Sequence, residues 1–199
     1  MAARTGKVEI VRLLLTKHRA NPDATDNTDR TPLFCGSQHD SNAEIVQLLL
    51  EAGADPALAE ERGCIPLHLV AQSGHMELVD MLYSWAPTTL NRCLHTGHTP
   101  LALACYYGHE RVASRLLSLG AMQLRPPDER NPSLLEMTVT QEFVNVVRVL
   151  INEGIRAIGG KMATLPNALG IACCAPPGEN PPAAARGGRR GEAVGVGQH

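Results

Sequence analysis

Ile65-Pro66-Leu67-His68-Leu69-Val70-Ala71-Gln72-Ser73-Gly74-His75-Met76-Glu77-Leu78-Val79 is the stretch whose reading decides the fold. Pro66 suits the first turn of a helix, because the N–H it lacks would find no partner inside the helix anyway. Gly74 can adopt the left-handed conformation that ends a helix. The apolar pair Leu78-Val79 then opens a second amphipathic run. The stretch reads as helix, tight turn, helix. Ile65 stands where a capping hydroxyl is expected, and its absence costs about 1 kcal/mol.

The same pattern recurs along the chain. Pro32, Pro66 and Pro100 lie 34 residues apart, and Pro132 follows after 32. The apolar pairs Ile10-Val11, Ile45-Val46, Leu78-Val79, Val112-Ala113 and Val146-Val147 are spaced by 35, 33, 34 and 34. Apolar triplets such as Leu48-Leu49-Leu50 follow the pairs, and Gly53-Ala54 and Gly120-Ala121 close their units. A fixed period near 33 residues is the signature of stacked supersecondary units. Thr31-Pro32 and Thr99-Pro100 put a capping hydroxyl before the first helical proline. In the fifth unit Ser133-Leu134-Leu135-Glu136 forms a capping box. Unit two replaces the Gly-His turn with an insertion, and Ser41-Asn42-Ala43-Glu44 restarts its second helix with another box. Gly63 and Gly97 fall where a hairpin tip demands positive φ.

These residues resemble the ankyrin repeat family. The stretch 65–79 is similar to the family's Thr-Pro-Leu-His-x-Ala-Ala-x-x-Gly-His-x-x-Val-Val pattern, and Thr99 to Val112 matches nearly as well with Ala102 in place of His. The resemblance covers about residues 2–160. It implies an all-α repeat solenoid of helix-turn-helix units joined by hairpin loops, about four and a half repeats in all. The units divide as a partial first repeat at 1–24, repeats at 25–58, 59–91 and 92–124, and a divergent repeat at 125–160. A low-complexity tail follows at 161–199.

Composition agrees and removes other classes. Six aromatic residues in 199 (two Phe, one Trp, three Tyr) argue against a β-sandwich or barrel. Eighteen basic against twenty acidic residues give a formal charge of −2, so a basic nucleic-acid surface is not expected. No secretory leader or membrane-spanning run is read, and six scattered cysteines fit a reducing compartment. The chain is expected to be intracellular, in cytoplasm, nucleus or both.

Both ends depart from a complete array. Ala2-Ala3-Arg4-Thr5-Gly6 corresponds to 70–74, so the first unit lacks nearly all of its first helix. Its second helix, over 8–17, should then present Ile10, Leu13 or Leu14 without a partner. The tail is rich in Ala, Gly, Pro and Arg and reads as mostly disordered, with residues 167–174 either a short capping helix or part of that tail. Such a composition also arises from a GC-rich segment read outside its frame. The alternative expectation is therefore a truncated or alternatively spliced piece of a larger ankyrin-containing enzyme, channel or ubiquitin-ligase receptor, acting only as regulator or competitor.

The resemblance implies a noncatalytic adaptor or scaffold that binds a protein partner through the hairpin tips and the concave face of the first helices. The residues before each inter-helix glycine face that groove in the family: Gln72 and Ser73, then Tyr106 and Tyr107. Tyrosine offers a large rigid surface with one hydroxyl, a common interface anchor. The tips add Asp26, Asp29 and Arg30, then Glu60, Glu61 and Arg62, then His95 and His98, then Asp128, Glu129 and Arg130. Partner contacts are assigned to Tyr106, Tyr107, Gln72, Ser73, Arg30, Glu61, Arg62 and His98. His68, His75 and His109 are read as structural. Cys64, Cys93, His95 and His98 bring zinc-type ligands near one another, but in no standard zinc spacing, so no metal and no cofactor are expected. No phosphate loop, nucleophile elbow or His-Glu-x-x-His motif is present, and Cys105 is expected to be packed. The chain is read as a monomer with no enzymatic activity.

Overall fold

A computed structural model describes residues 2–122 and 134–157. Among these residues there are nine α-helices and no strand. They are α1 (Val8–Thr16), α2 (Pro32–Gly36), α3 (Ala43–Glu51), α4 (Pro66–Ser73), α5 (Met76–Trp85), α6 (Pro100–Tyr106), α7 (Glu110–Ser118), α8 (Leu134–Thr140) and α9 (Val144–Ala157). The short helices α2, α4, α6 and α8 stack in one layer, and α1, α3, α5, α7 and α9 stack behind them. The result is an all-α repeat solenoid whose core is a continuous apolar seam between the layers. Leu33, Ile45, Leu49, Leu67, Leu78, Leu82, Leu101 and Leu116 are essentially excluded from solvent within it.

The caps explain where the first helices begin. Thr31 Oγ accepts the Phe34 amide at 3.1 Å, and Thr99 Oγ accepts the Ala102 amide at 3.2 Å. Ile65 has no such oxygen, and the loss is partly offset from the other side: His68 Nδ1 accepts the Ile65 amide at 3.3 Å. His68 Nε2 therefore carries the proton and donates to the Arg92 carbonyl at 3.0 Å. The ring is buried, and that burial pulls its pKa down from 6.5 to about 4. It is structural, and it joins the third repeat to the loop that opens the fourth.

The same division of labour holds at the inter-helix turns. Gly74 and Gly108 take φ of 79° and 75°, as their place at the helix ends requires. A methyl group on Gly74 would lie 2.6 Å from His109 Nδ1, so the imidazole sits directly against the glycine. From there His109 Nε2 meets the Gln72 carbonyl at 2.8 Å, and His75 Nε2 meets the Gln38 carbonyl at 3.4 Å. Each histidine fastens its own repeat to the one before.

Unit two corrects one expectation. No capping box forms at Ser41; a 3₁₀ turn at Asp40–Asn42 leads into α3 instead. Asn42 is buried there, and its amide donates to the Ala3 and Gly36 carbonyls at 3.3 and 3.1 Å. The inserted turn thus replaces the glycine-histidine fastening with an asparagine clamp on the first repeat. The capping residue Ser133, the tip residues 128–130, the tail and the segment 167–174 lie outside the described residues.

At the N-terminal end, residues 2–6 form turns and Ala3 is buried against the core, while Ile10, Leu13 and Leu14 are all exposed on α1. Val11 alone of that helix is buried.

Candidate protein-interaction surface

The hairpin tips share one backbone plan. Asp26, Glu60 and Leu94 each donate an amide to the carbonyl four residues on (Arg30, Cys64 and His98) at 3.1, 3.0 and 2.9 Å. The fourth residue of each tip turns left-handed: Gly63 and Gly97 do so at φ 78° and 85°, and Asp29 does so at 58°. Carboxylates lock the first two tips. Asp26 Oδ1 accepts the Thr28 hydroxyl and amide at 2.7 and 2.9 Å and the Arg30 amide at 3.1 Å. Those Thr28 hydrogen bonds hold the Asp26 pKa down at about 2. Glu60 Oε1 accepts the Arg62 and Cys64 amides at 2.8 and 3.1 Å. In the fourth repeat Leu94 has no carboxylate, and Thr96 Oγ pairs with His98 Nδ1 at 2.9 Å instead. Consecutive tips touch where the His95 amide reaches the Arg62 carbonyl at 3.1 Å.

The candidate contact residues fall into two groups. Tyr106 and Tyr107 are 41% and 45% exposed at the end of α6, although residues 100–105 of that helix are buried. Their rings meet edge-on with centroids 5.1 Å apart, a geometry favoured by the ring quadrupoles. Gln72 and Ser73 are exposed at the corresponding end of α4, and His109 ties the Gln72 carbonyl to the fourth repeat. These four belong to one edge of the first-helix layer. Glu61 and Arg62 are exposed on the third-repeat tip. Arg30 and His98 are more committed: Arg30 Nε reaches Thr28 Oγ at 2.6 Å and Asp26 at 3.2 Å, and His98 is half-buried beside Thr96.

Nucleophilic and metal chemistry find little here. Among the described residues no group of three or more His, Cys, Asp or Glu side chains converges on a metal position, so Cys64, Cys93, His95 and His98 are not gathered as ligands. Burial pushes the Cys64 and Cys105 thiols up to about 12, and raises Cys35 as well. These three sulfurs remain protonated at neutral pH and are poor nucleophiles.

Sequence reading missed a feature beside the tyrosines. Glu142 stands 34 residues after Gly108 and 68 after Gly74, at the left-handed turn position, with φ of 58°. A non-glycine residue there costs about 1 kcal/mol. Phe143 in turn occupies the position of His75 and His109, and its ring packs on Gly108. Gly108, Glu110, Glu142, Phe143 and Val144 line a cleft of about 310 Å³ between the fourth and fifth repeats. Counting the 34-residue register past Gly108 would have found Glu142; the cleft needed the packing of two repeats.

The stacked helix pairs, shared tips and glycine turns define a helix-turn-helix repeat protein with an exposed edge. The sequence pattern described as ankyrin repeats in three copies matches residues 1–60, 42–128 and 67–158, and the chain belongs to the ankyrin repeat family. Among similar proteins, ankyrin repeat protein nuc-2 of Neurospora crassa is 22% identical over 164 residues, 82% of this chain and 15% of that one. NF-kappa-B inhibitor alpha of Sus scrofa is 37% identical over 101 residues, 48% of this chain and 32% of the relative. Neurogenic locus notch homolog protein 1 of Mus musculus is 28% identical over 130 residues, 65% of this chain and 5% of the relative. The chain thus spans less than a third of the length of each. Ankyrin repeats generally mediate protein–protein interaction. Among the described residues no helix is long and apolar enough to cross a membrane.

Proposed function

We propose that the chain is a noncatalytic interaction module that holds a protein partner along the first-helix edge and the hairpin tips. The observation that carries this reading is the pair Tyr106 and Tyr107, solvent-exposed and in edge-on contact at the end of an otherwise buried helix. Ordered aromatic surface binds with little further loss of side-chain entropy, which is why such residues dominate interface energetics. Gln72 and Ser73 extend the edge by one repeat, and Glu61 and Arg62 offer opposite charges at the tip, which orient a partner more than they tighten it. Arg30 and His98 contribute chiefly by holding their own tips in shape. A relative named as an inhibitor of another protein supports a regulatory role over an enzymatic one. The compartment we infer is cytoplasm, nucleus or both, with the chain acting as a monomer.

The test is the double variant Tyr106→Ala, Tyr107→Ala, compared with the parent by quantitative proximity labelling in cells. Capture of a defined partner should fall by about tenfold or more, as loss of an aromatic anchor implies, while far-UV circular dichroism stays unchanged. Undiminished capture removes both tyrosines from the site.

A further inference from the structure

We propose that the cleft between the fourth and fifth repeats receives a partner peptide carrying an apolar side chain next to a lysine or arginine. The proposal rests on the reading of the adjoining tyrosine edge as a partner surface, and it names the chemistry of what lies beside that edge. Tyr107 is bonded directly to Gly108, and Gly108 forms one wall of the cleft. The Phe143 ring packs against Gly108 so closely that a methyl group there would meet it at 2.9 Å. Val144, 66% exposed, stands at the rim. A volume of about 310 Å³ is at the low end for ligand sites and suits one or two side chains.

Charge selects the occupant. Glu110 and Glu142 both line the cleft, and among the described residues no lysine or arginine does. Among the described residues neither carboxylate is ion-paired; the bridges there are Arg12–Glu44, Arg30–Asp26, His75–Asp40 and Arg115–Asp80. Glu142 also holds a strained backbone, φ 58°, at a turn that glycine fills in the two preceding repeats. A carboxylate placed there at the expense of stability, with no ion-pair partner among the described residues, is complementary to a cation from a partner. An acidic segment would be repelled, and a wholly apolar one would leave two carboxylates to be desolvated without compensation.

The experiment pans a random short-peptide display library on the full chain and measures the enriched sequences by fluorescence polarisation as labelled synthetic peptides. Enriched peptides should place Leu, Ile, Phe or Met within two residues of Lys or Arg, and their affinity should fall with added salt. Glu142→Gly should weaken them about threefold to fivefold, the size of one partly exposed ion pair. Val144→Lys should weaken them about tenfold or more, because it removes the apolar contact and repels the peptide's basic residue. Because Glu142→Gly relieves the turn, its melting temperature should rise while binding falls, which a folding defect cannot produce. Peptides without a basic residue, no enrichment, or affinities indifferent to Glu142→Gly would overturn the proposal. Binders abolished by Tyr106→Ala, Tyr107→Ala but indifferent to Glu142→Gly would overturn it and leave the tyrosine reading standing. Binders sensitive to Glu142→Gly but indifferent to the tyrosine variant would support the cleft and count against the tyrosines.

Discussion

Leu14 and Leu82 occupy the same register position in the second helices of the first and third repeats, yet one is 40% exposed and the other is buried. The helices α3 and α7 place Leu49 and Leu116 at that position, both buried. Middle helices pack between a first helix of their own repeat and neighbours on either side, whereas α1 contacts α3 alone among the second helices. The fifth repeat differs in another way. Its joint keeps the glycine of the fourth repeat but replaces the fastening histidine with Phe143, which cannot bond a carbonyl. Identical register therefore does not confer identical environment: stacking supplies it.

The largest test of that contrast is truncation in the core. Leu82→Ala should cost about 2–5 kcal/mol in equilibrium urea unfolding, whereas Leu14→Ala should cost less than about 1 kcal/mol. Equal losses would mean that α1 is as tightly packed as the middle helices. Next comes the pH response of the buried His68. Its pKa is lowered from 6.5 to about 4 on folding, so between those values the unfolded chain binds a proton that the folded chain refuses. That contribution, on the order of 3 kcal/mol, is fully present above pH 6.5 and lost as pH falls through about 4. Replacing the ring by His68→Gln should flatten the stability profile over that window relative to the parent.

Smaller effects separate the two joints. Gly74→Ala must displace His109 and its hydrogen bond while forcing alanine to positive φ, at a cost of about 2 kcal/mol in the same unfolding assay. Glu142→Gly should do the reverse, stabilising by about 1 kcal/mol through release of the turn. A destabilised Glu142→Gly protein would show that the carboxylate serves the fold. Smallest of all, Arg115→Ala breaks an exposed ion pair with Asp80 at 2.6 Å and should change the unfolding midpoint by less than about 1 kcal/mol. Its effect should shrink further in high salt.

Much of this was legible beforehand, for identifiable reasons. The cap hydroxyls of Thr31 and Thr99, the left-handed Gly74 and Gly108 and the tip glycines Gly63 and Gly97 are local demands of the backbone, so they are visible wherever the residues stand. The exposure of Ile10, Leu13 and Leu14 also followed from counting helices in the first unit. The box at Ser41 does not form because a short-range capping pattern loses to a long-range contact: the Asn42 amide reaches the Ala3 carbonyl, 39 residues away. His68 offering half of the missing cap at Ile65 escaped notice for a related reason, since its ring could be oriented only once the Arg92 carbonyl was in place.

The sequence by itself determined the repeat length, the order of helix, turn and helix, the Thr31 and Thr99 caps and the turn glycines. Each of these depends on residues within one unit or on the fixed interval between units. Tertiary structure alone decided that Asn42 holds the Ala3 carbonyl, that Cys64 and His95 do not join Cys93 and His98 as ligands, and that Glu142 and Phe143 make a cleft with Gly108. Those outcomes depend on how far one repeat is displaced and rotated against the next. That step is set by the packing of whole side chains across the joint, and no single repeat encodes it.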